Sequence, residues 1–292
     1  MRAPVKFSWF CVLLICWSLL ACTDHQEPGT ERFRIKKLTK SLSYQHGYSV
    51  VSILGYDWQG RVDSVYSYQT GDSAHSPTQT SKFQYDNQGR LAQMTRTLST
   101  GGSERYVYAY EGTGKISSIR YTGGDNDYYD FVPNYDGAGN LTEIKRSFHF
   151  YSSISYSQQN QYTFSSGNLS RLIATTTIEK VVPGTSVSTT DFVYDDHPNP
   201  FYGIALIPAP VGIASPTSGN FSHYTYCGGV DNYLHLSRNN PTSSNIKGYT
   251  QTLYRYQYNA FGLPETRATL VKPLLDQPAV LSETVVFDYE AY

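Results

Sequence analysis

The feature that most constrains this chain is a short unit that returns along it with a glycine at its fifth position. An aromatic residue is followed by an acidic or polar one, two variable residues, Gly, a basic or polar residue and a branched apolar residue. The copies are Tyr56-Asp57-Trp58-Gln59-Gly60-Arg61-Val62, Tyr85-Asp86-Asn87-Gln88-Gly89-Arg90-Leu91, Tyr110-Glu111-Gly112-Thr113-Gly114-Lys115-Ile116 and Tyr135-Asp136-Gly137-Ala138-Gly139-Asn140-Leu141. Phe164-Ser165-Ser166-Gly167-Asn168-Leu169 is a degraded copy, and Tyr258-Asn259-Ala260-Phe261-Gly262-Leu263 a distant one. The first five glycines lie 29, 25, 25 and 28 residues apart. A period in this range marks a repeated supersecondary unit.

The chemistry of the unit predicts a hairpin. The Tyr closes an incoming strand. Asp57, Asp86 and Asp136 start turns, because a short carboxylate can accept from the backbone two residues on. Gly60, Gly89, Gly114 and Gly139 take the positive φ that ends a four- or five-residue hairpin loop. The apolar residue opens the outgoing strand. A second apolar residue follows three positions on (Val65, Met94, Ile119, Ile144, Leu172) where strict alternation would place it two on. That offset predicts a β-bulge just after each turn.

Incoming strands alternate. Tyr106, Tyr108 and Tyr110 share one face, as do Tyr254, Tyr256 and Tyr258, with Leu253, Arg255 and Gln257 opposite. Val285, Phe287 and Tyr289 repeat the scheme. One face is aromatic and the other mostly polar, as in an antiparallel sheet with one wet side. An outward apolar band would be needed to embed such a barrel in a bilayer. The charged face is therefore expected in water and the aromatic face inside. The expected fold is an all-β antiparallel hairpin-repeat meander of roughly 14–18 strands of ordinary length. Closing it, or nearly closing it, into a wide soluble barrel would remove the sheet edges. A barrel that wide encloses a cavity unless something fills it.

The first residues set the address. Arg2 and Lys6 precede an apolar run from Phe7 to Leu20, too short to cross a bilayer comfortably. The run ends in Leu19-Leu20-Ala21-Cys22. This is the pattern of a cleaved export signal over residues 1–21. Its ending resembles the lipobox of bacterial lipoproteins. That resemblance implies diacylglyceryl transfer to the Cys22 sulfur, cleavage before it and acylation of the new amine, with palmitate-type chains that anchor firmly. Residues 22–32 are polar and read as a flexible tether, leaving 33–292 as a single barrel domain. Of four cysteines, Cys11 and Cys16 leave with the signal and Cys22 is lipidated. Cys227 remains alone and reads as a small buried residue, so no disulfide framework is expected. Removing Arg2 and Lys6 leaves 21 basic against 24 acidic residues, which argues against a nucleic-acid partner.

The Tyr-Asp-x-x-Gly-Arg-Leu units resemble the YD repeats of Rhs-type bacterial proteins, which form β-hairpin shells. The chain is also similar to a family of small bacterial lipoproteins of unknown function with a porin-like β fold. Those carry the lipobox, degenerate repeats and a late segment matched here by Tyr194-Asp195-Asp196-His197-Pro198-Asn199-Pro200-Phe201. The resemblance implies an outer-membrane lipoprotein, periplasmic or surface-facing, and brings no catalytic residue.

From about residue 195 to 247 the rhythm breaks, with Pro198, Pro200, Pro208, Pro210, Pro216 and Pro241 excluding central strands over most of the stretch. The segment is expected to pack across or into the barrel mouth. A short helix is expected within 229–240, with Val230, Tyr233, Leu234 and Leu236 inward. The chemical signals are weak. The seven histidines show no metal-ligand spacing, and no nucleophile turn or phosphate loop is present. Asp125-Asn126-Asp127 with Asp130 lacks the glycine and glutamate of a calcium loop. Asp195-Asp196-His197 reads as a turn rather than an acid–base group. No cofactor, metal or catalytic residue is therefore expected. Trp58 and Tyr202 are candidate ligand-binding aromatics, able to stack on sugar rings. The leading reading is a non-enzymatic envelope module, binding or structural, anchored by its lipid, with a glycan or protein as possible partner. The alternatives are a glycan- or peptide-acting enzyme with carboxylates at the barrel mouth, and an Rhs-like shell around a partner polypeptide.

Overall fold

The computed structural model describes residues 32–42, 49–70, 78–99, 101–123, 128–149, 156–179, 183–203, 233–273 and 277–292. The expected signal segment, Cys22, the tether, Cys227, the stretch 204–232 and the calcium-like residues 125–127 lie outside them. The strands are β1 (Phe33–Leu42), β2 (Ser49–Tyr56), β3 (Val62–Gln69), β4 (Thr78–Tyr85), β5 (Leu91–Leu98), β6 (Ser103–Tyr110), β7 (Ile116–Thr122) and β8 (Tyr128–Tyr135). They continue as β9 (Leu141–His149), β10 (Tyr156–Ser165), β11 (Asn168–Ile178), β12 (Gly184–Pro198), β13 (Asn239–Ile246), β14 (Thr250–Tyr258), β15 (Pro264–Lys272) and β16 (Val280–Ala291). Each strand pairs with its sequence neighbours, and β1 meets β16, so the meander is a closed antiparallel barrel. Arg34–Glu290 form one compact unit. Arg32, Phe33, Ala291 and Tyr292 fall in a separate small unit, in which the Tyr292 N–H donates to the Arg32 carbonyl at 3.0 Å.

Closure explains the sequence pattern. With no edge left, every strand has ladder partners on both sides and the pleat alone decides which side chains face inward. The ladder breaks register between Gly55 and Tyr56, Gln84 and Tyr85, Ala109 and Tyr110, Asn134 and Tyr135, Thr163 and Phe164, and Gln257 and Tyr258. These are the bulges that the three-residue apolar spacing predicts. The first five keep Val65, Met94, Ile119, Ile144 and Leu172 on the inner face, where all are buried.

The inner face holds Tyr106, Tyr108, Tyr121, Tyr129, Phe131, Tyr162 and Phe287, all buried. Tyr106 meets Tyr121 edge-on at 5.1 Å, and Tyr121 stacks on Tyr129 at 4.8 Å. The expected division of aromatic from charged residues is incomplete, however. Arg96 and Arg146 are buried on the same face as Met94 and Ile144. Alternation after the bulge puts residues two apart on one side, so these arginines turn inward with the apolar residue before them.

Strands reach further into the late region than its prolines suggest. β12 runs to Pro198, and β13 resumes at Asn239 with Pro241 inside it. The ladder slips on both sides of the Tyr194–Pro241 pair, which releases that proline from a regular bonding position. The short helix of 229–240 is a 3₁₀ turn over Tyr233–Leu236. His235 is buried there and Leu236 packs against the core, while the side chains of Tyr233 and Leu234 lie outside the described set.

Candidate functional site

In a meander the bends after even-numbered strands gather at one end of the barrel. Here that end collects every Gly-centred unit, the β12–β13 connection, and both ends of the barrel unit at Arg34 and Glu290. The chemistry of this repeat-turn rim can be built from one unit.

Within the first unit, Asp57 Oδ1 accepts from the backbone N–H groups of Gln59 and Arg61, both at 2.9 Å. Its Oδ2 accepts from Arg61 Nε at 2.7 Å. Asp86 repeats this with Gln88 and Arg90. The Arg90 N–H, aided by the Arg90 guanidinium, holds the Asp86 carboxyl below the usual carboxylate range, against the opposing effect of burial. Asp136 Oδ1 likewise accepts from the N–H groups of Ala138 and Asn140, and Asn259 Oδ1 from those of Phe261 and Leu263. Gly60, Gly89, Gly114 and Gly139 have φ of 81°, 79°, 83° and 91°, in the left-handed region. In the degraded unit Ser166 and Gly167 both have positive φ, the signature of a two-residue type I′ bend.

The units are also joined to one another. The Tyr85 hydroxyl donates to the Val62 carbonyl at 2.7 Å, and the Arg61 guanidinium lies 4.0 Å over the Tyr85 ring. The Tyr110 hydroxyl donates to Leu91 O at 2.7 Å beneath Arg90, 4.3 Å away. Lys115 sits over Tyr135 at 5.2 Å. Tyr56 donates to Ile35 O under Arg34. Tyr85, Tyr110 and Tyr135 are thus each clasped by the hairpin before them, and Tyr56 by β1. Arg61 and Arg90 each serve both their own aspartate and the next tyrosine.

The described ends of the β12–β13 connection pack against the barrel core at this rim. Phe201 is buried, 4.5 Å from the His235 ring and 5.9 Å from Phe287 on β16. Ser237 is fully buried, donates to the Tyr194 hydroxyl at 2.8 Å and accepts from the Leu169 N–H at 3.0 Å. The residues bounding the connection therefore pack inward. The expectation for the segment between them concerns residues outside the described set.

Asp195, Asp196 and His197, expected as a turn, lie instead within β12, in the register slip between Tyr194 and Pro198, where Asp195 Oδ1 accepts from the His197 N–H at 3.0 Å. Its Oδ2 accepts from the Tyr258 hydroxyl, and the His197 ring stacks on that of Tyr258 at 3.8 Å. Burial, reinforced by Asp195, pushes the Tyr258 phenol well up.

A second charged group lies inside the wall. Arg267 donates to Glu283 at 2.6 Å, Lys40 approaches the other carboxylate oxygen at 3.0 Å, and Thr269 donates at 3.3 Å. Burial would raise the Glu283 carboxyl, but Arg267 and Lys40 outweigh it and hold it below its ordinary range. Burial, with the Arg267 charge adding to it, lowers His235 to about 3, so its imidazole is neutral. Further round the barrel Arg96 meets Glu104 at 2.8 Å, and Tyr121 donates to the same carboxylate at 3.2 Å. Arg146 lies 5.4 Å from the Phe131 ring. Among the described residues, no three His, Cys, Asp or Glu side chains group as a metal site.

Of the two candidate ligand-binding aromatics, Trp58 stands at the tip of its turn with 89% exposure. Tyr202 is 48% exposed, with Arg238 Nε at 3.5 Å from its hydroxyl. Both lie on the repeat-turn rim, in bends separated by those at Phe261 and at the chain ends. They do not form one stacking platform. Sequence reasoning missed His235 and the Arg267–Glu283 group. The second is foreshadowed by alternation with Val285 and Phe287, which puts Glu283 on the inner face.

A closed antiparallel barrel of sixteen strands is the architecture of porin-like proteins, and solved structures of that description are what the chain is similar to. A porin-like protein from Bacteroides uniformis ATCC 8492 matches with a TM-score of 0.55 over 88% of this chain and 98% of that one, at 12% identity. A porin-like protein from Bacteroides vulgatus ATCC 8482 matches with a TM-score of 0.53 over 89% and 99%, at 16% identity. At such identities the likeness is one of fold. No family model and no curated protein matches the chain.

Proposed function

We propose that the chain is a non-enzymatic envelope lipoprotein, a binding or structural module held by acyl chains on Cys22, with its barrel wall in water. The observation that supports the hydrated wall is the charge on its outer face. Lys37–Asp288, Arg120–Asp130 and Arg171–Asp191 are ion pairs on outward positions, and Lys82, Arg105, Lys145 and Arg255 also face out and are exposed. These residues lie within the strands, on several sides of the barrel. At a bilayer midplane each unpaired Arg or Lys would cost about 2–4 kcal/mol. The Leu19-Leu20-Ala21-Cys22 ending supports the anchor, and the fold shared with porin-like proteins is consistent with an envelope address. The inner carboxylates Glu104 and Glu283 are each bonded to an arginine rather than facing one another, so no observation favours the enzyme. None favours the polypeptide-enclosing shell.

The test is metabolic labelling with palmitate in a bacterial host, beside a Cys22→Ser chain carried by an ordinary cleaved export signal. The wild type should take the label and fractionate with membranes. The variant should lose the label and be released as a folded protein without detergent. An unlabelled wild type, or a variant that stays in the membrane and needs detergent, would overturn the reading.

A further inference from the structure

We infer that the exposed aromatic tips Trp58, Phe261 and Tyr202 seat one side of the repeat-turn rim in the headgroup layer of a lipid bilayer. The barrel then stands on that rim rather than swinging on its tether. The inference rests on the lipid-anchor reading for the tether, and on the rim's own side chains for its chemistry.

The repeat supplies its own comparison. Going round the rim, the bends follow the strand order, about 10 Å apart because two strand spacings separate them. Four consecutive positions are the β12–β13 connection with Tyr202, the β14–β15 bend with Phe261, the seam between β16 and β1, and the β2–β3 bend with Trp58. Trp58 and Phe261 are 89% and 60% exposed. The other four bends carry Asn87 and Gln88, Gly112 and Thr113, Gly137 and Ala138, and Ser165 and Ser166, all exposed and none large and apolar. The turn built on Asp57 or Asn259 is therefore tipped with a ring on the seam side, while the same turn built on Asp86 or Asp136 carries small or polar groups on the far side. Turn geometry does not demand the rings, since Asn87 fills the position of Trp58 without altering the bonds of the unit.

The seam side is also where the chain leaves for the membrane. Arg34 begins the barrel unit at this rim, and Cys22 lies twelve residues upstream. Fully extended, that tether reaches about 40 Å. An acylated Cys22 thus keeps the aromatic arc within reach of the headgroups. Trp and Tyr favour that layer, because a ring can sit among the acyl ends while its polar edge stays wet. Exposed Arg238 beside Tyr202 is matched by exposed Asp196 on the same arc. The attachment is therefore apolar and should survive added salt.

Trp58 reports on this directly. The other two tryptophans, Trp9 and Trp17, precede Cys22, so processing leaves Trp58 as the one tryptophan of the chain. The processed, acylated protein is placed on vesicles of phosphatidylethanolamine and phosphatidylcholine. A second sample, Cys22→Ser with an N-terminal hexahistidine, is held on the same vesicles by a nickel-chelating lipid. In both, Trp58 emission should move to shorter wavelength, iodide quenching should fall several-fold, and a spin label near the headgroups should quench better than one deep in the chains. Moving the reporter with Trp58→Ala and Asn87→Trp should abolish all three effects while binding persists. If the nickel-held sample shows the shift and the natural chain neither takes acyl label nor floats with vesicles, the anchor reading fails and the arc stands. If both samples float and Trp58 stays as accessible to iodide as in solution, the arc is overturned and the anchor stands. A shift produced by soluble dextran or mannan and not by vesicles would also overturn it, in favour of a sugar-binding rim.

Discussion

Glu290 and Arg34 are 256 residues apart, yet their side chains meet as Asp57 and Arg61 do within one turn, with Arg34 Nε donating to Glu290 Oε1 at 2.7 Å. Tyr289-Glu290 and Arg34-Ile35 meet where β16 pairs β1 as the two halves of one repeat unit. Tyr289 donates to Pro264 O at 2.9 Å, and Tyr56 is clasped by Arg34, so the halves serve their neighbours as an intact unit would. The barrel therefore closes by restoring its own repeat.

Restoring the covalent bend should accordingly be harmless. A permutant that joins Glu290 to Arg34 through three residues of the repeat bend, and opens the chain between Asn87 and Gln88, should fold with an unchanged far-UV circular dichroism spectrum. Glu290→Ala should cost about 1 kcal/mol, since the pair is partly exposed, and lower the urea midpoint accordingly. A permutant that fails to fold, with the parent folding normally, would refute the split-unit account.

The clasp between hairpins makes a second prediction. Tyr110→Phe removes the hydroxyl that serves Leu91 O and should destabilise by about 1 kcal/mol. Arg90→Ala should add roughly 0.5–1 kcal/mol for the lost stacking. Phenylalanine keeps the ring, so the shared contact is tested with Tyr110→Leu, whose effect and that of Arg90→Ala should be less than additive in a double-mutant cycle read by urea denaturation. Strict additivity would show that Arg90 and Tyr110 do not act together.

Gly114 and Gly137 separate conformation from packing. A Cβ at either would meet nothing within 4 Å, but only Gly114 has a positive φ, 83°. Gly114→Ala should therefore cost about 1–2 kcal/mol. Gly137→Ala should be neutral or slightly stabilising, because it restricts only the unfolded chain. Thermal midpoints of the two variants, measured together, check this.

His235 makes stability depend on pH. Its folded imidazole is lowered to about 3 from an ordinary 6.5, first by burial and then by Arg267. Below 6.5 the unfolded chain gains a proton that the folded chain refuses. Stability is therefore complete above 6.5 and is lost as pH falls toward 3, at up to about 1.4 kcal/mol per unit. His235→Leu should flatten the dependence of the urea midpoint between pH 6.5 and 5. Glu283, held low by Arg267 and Lys40, acts in a more acidic window. Its contribution is present above the ordinary 4.5 and fades below it.

Much of the barrel was legible because its bends are local. The aspartate, glycine and bulge of each unit are set by residues within seven of one another, and the strands follow. The clasp was not legible, since Tyr85 finds Val62 only through the register of β3 on β4, which no single unit encodes. The inward arginines were in principle readable. Met94 and Arg96, and likewise Ile144 and Arg146, are two apart in a strand and so share a face. The rule that charge faces water concealed them. The split unit was hidden for a simpler reason: neither half alone satisfies the pattern.

Because the tyrosine clasps run from one repeat hairpin to its neighbour, and the seam is one more grip of the same kind, the wall behaves as a chain-link fence bent into a circle. Duplicating one span of about 25 residues would slot a new link between any two old ones without disturbing their fittings, and deleting one would let the remainder draw together. The girth of such a protein is then a matter of counting, open to revision two strands at a time.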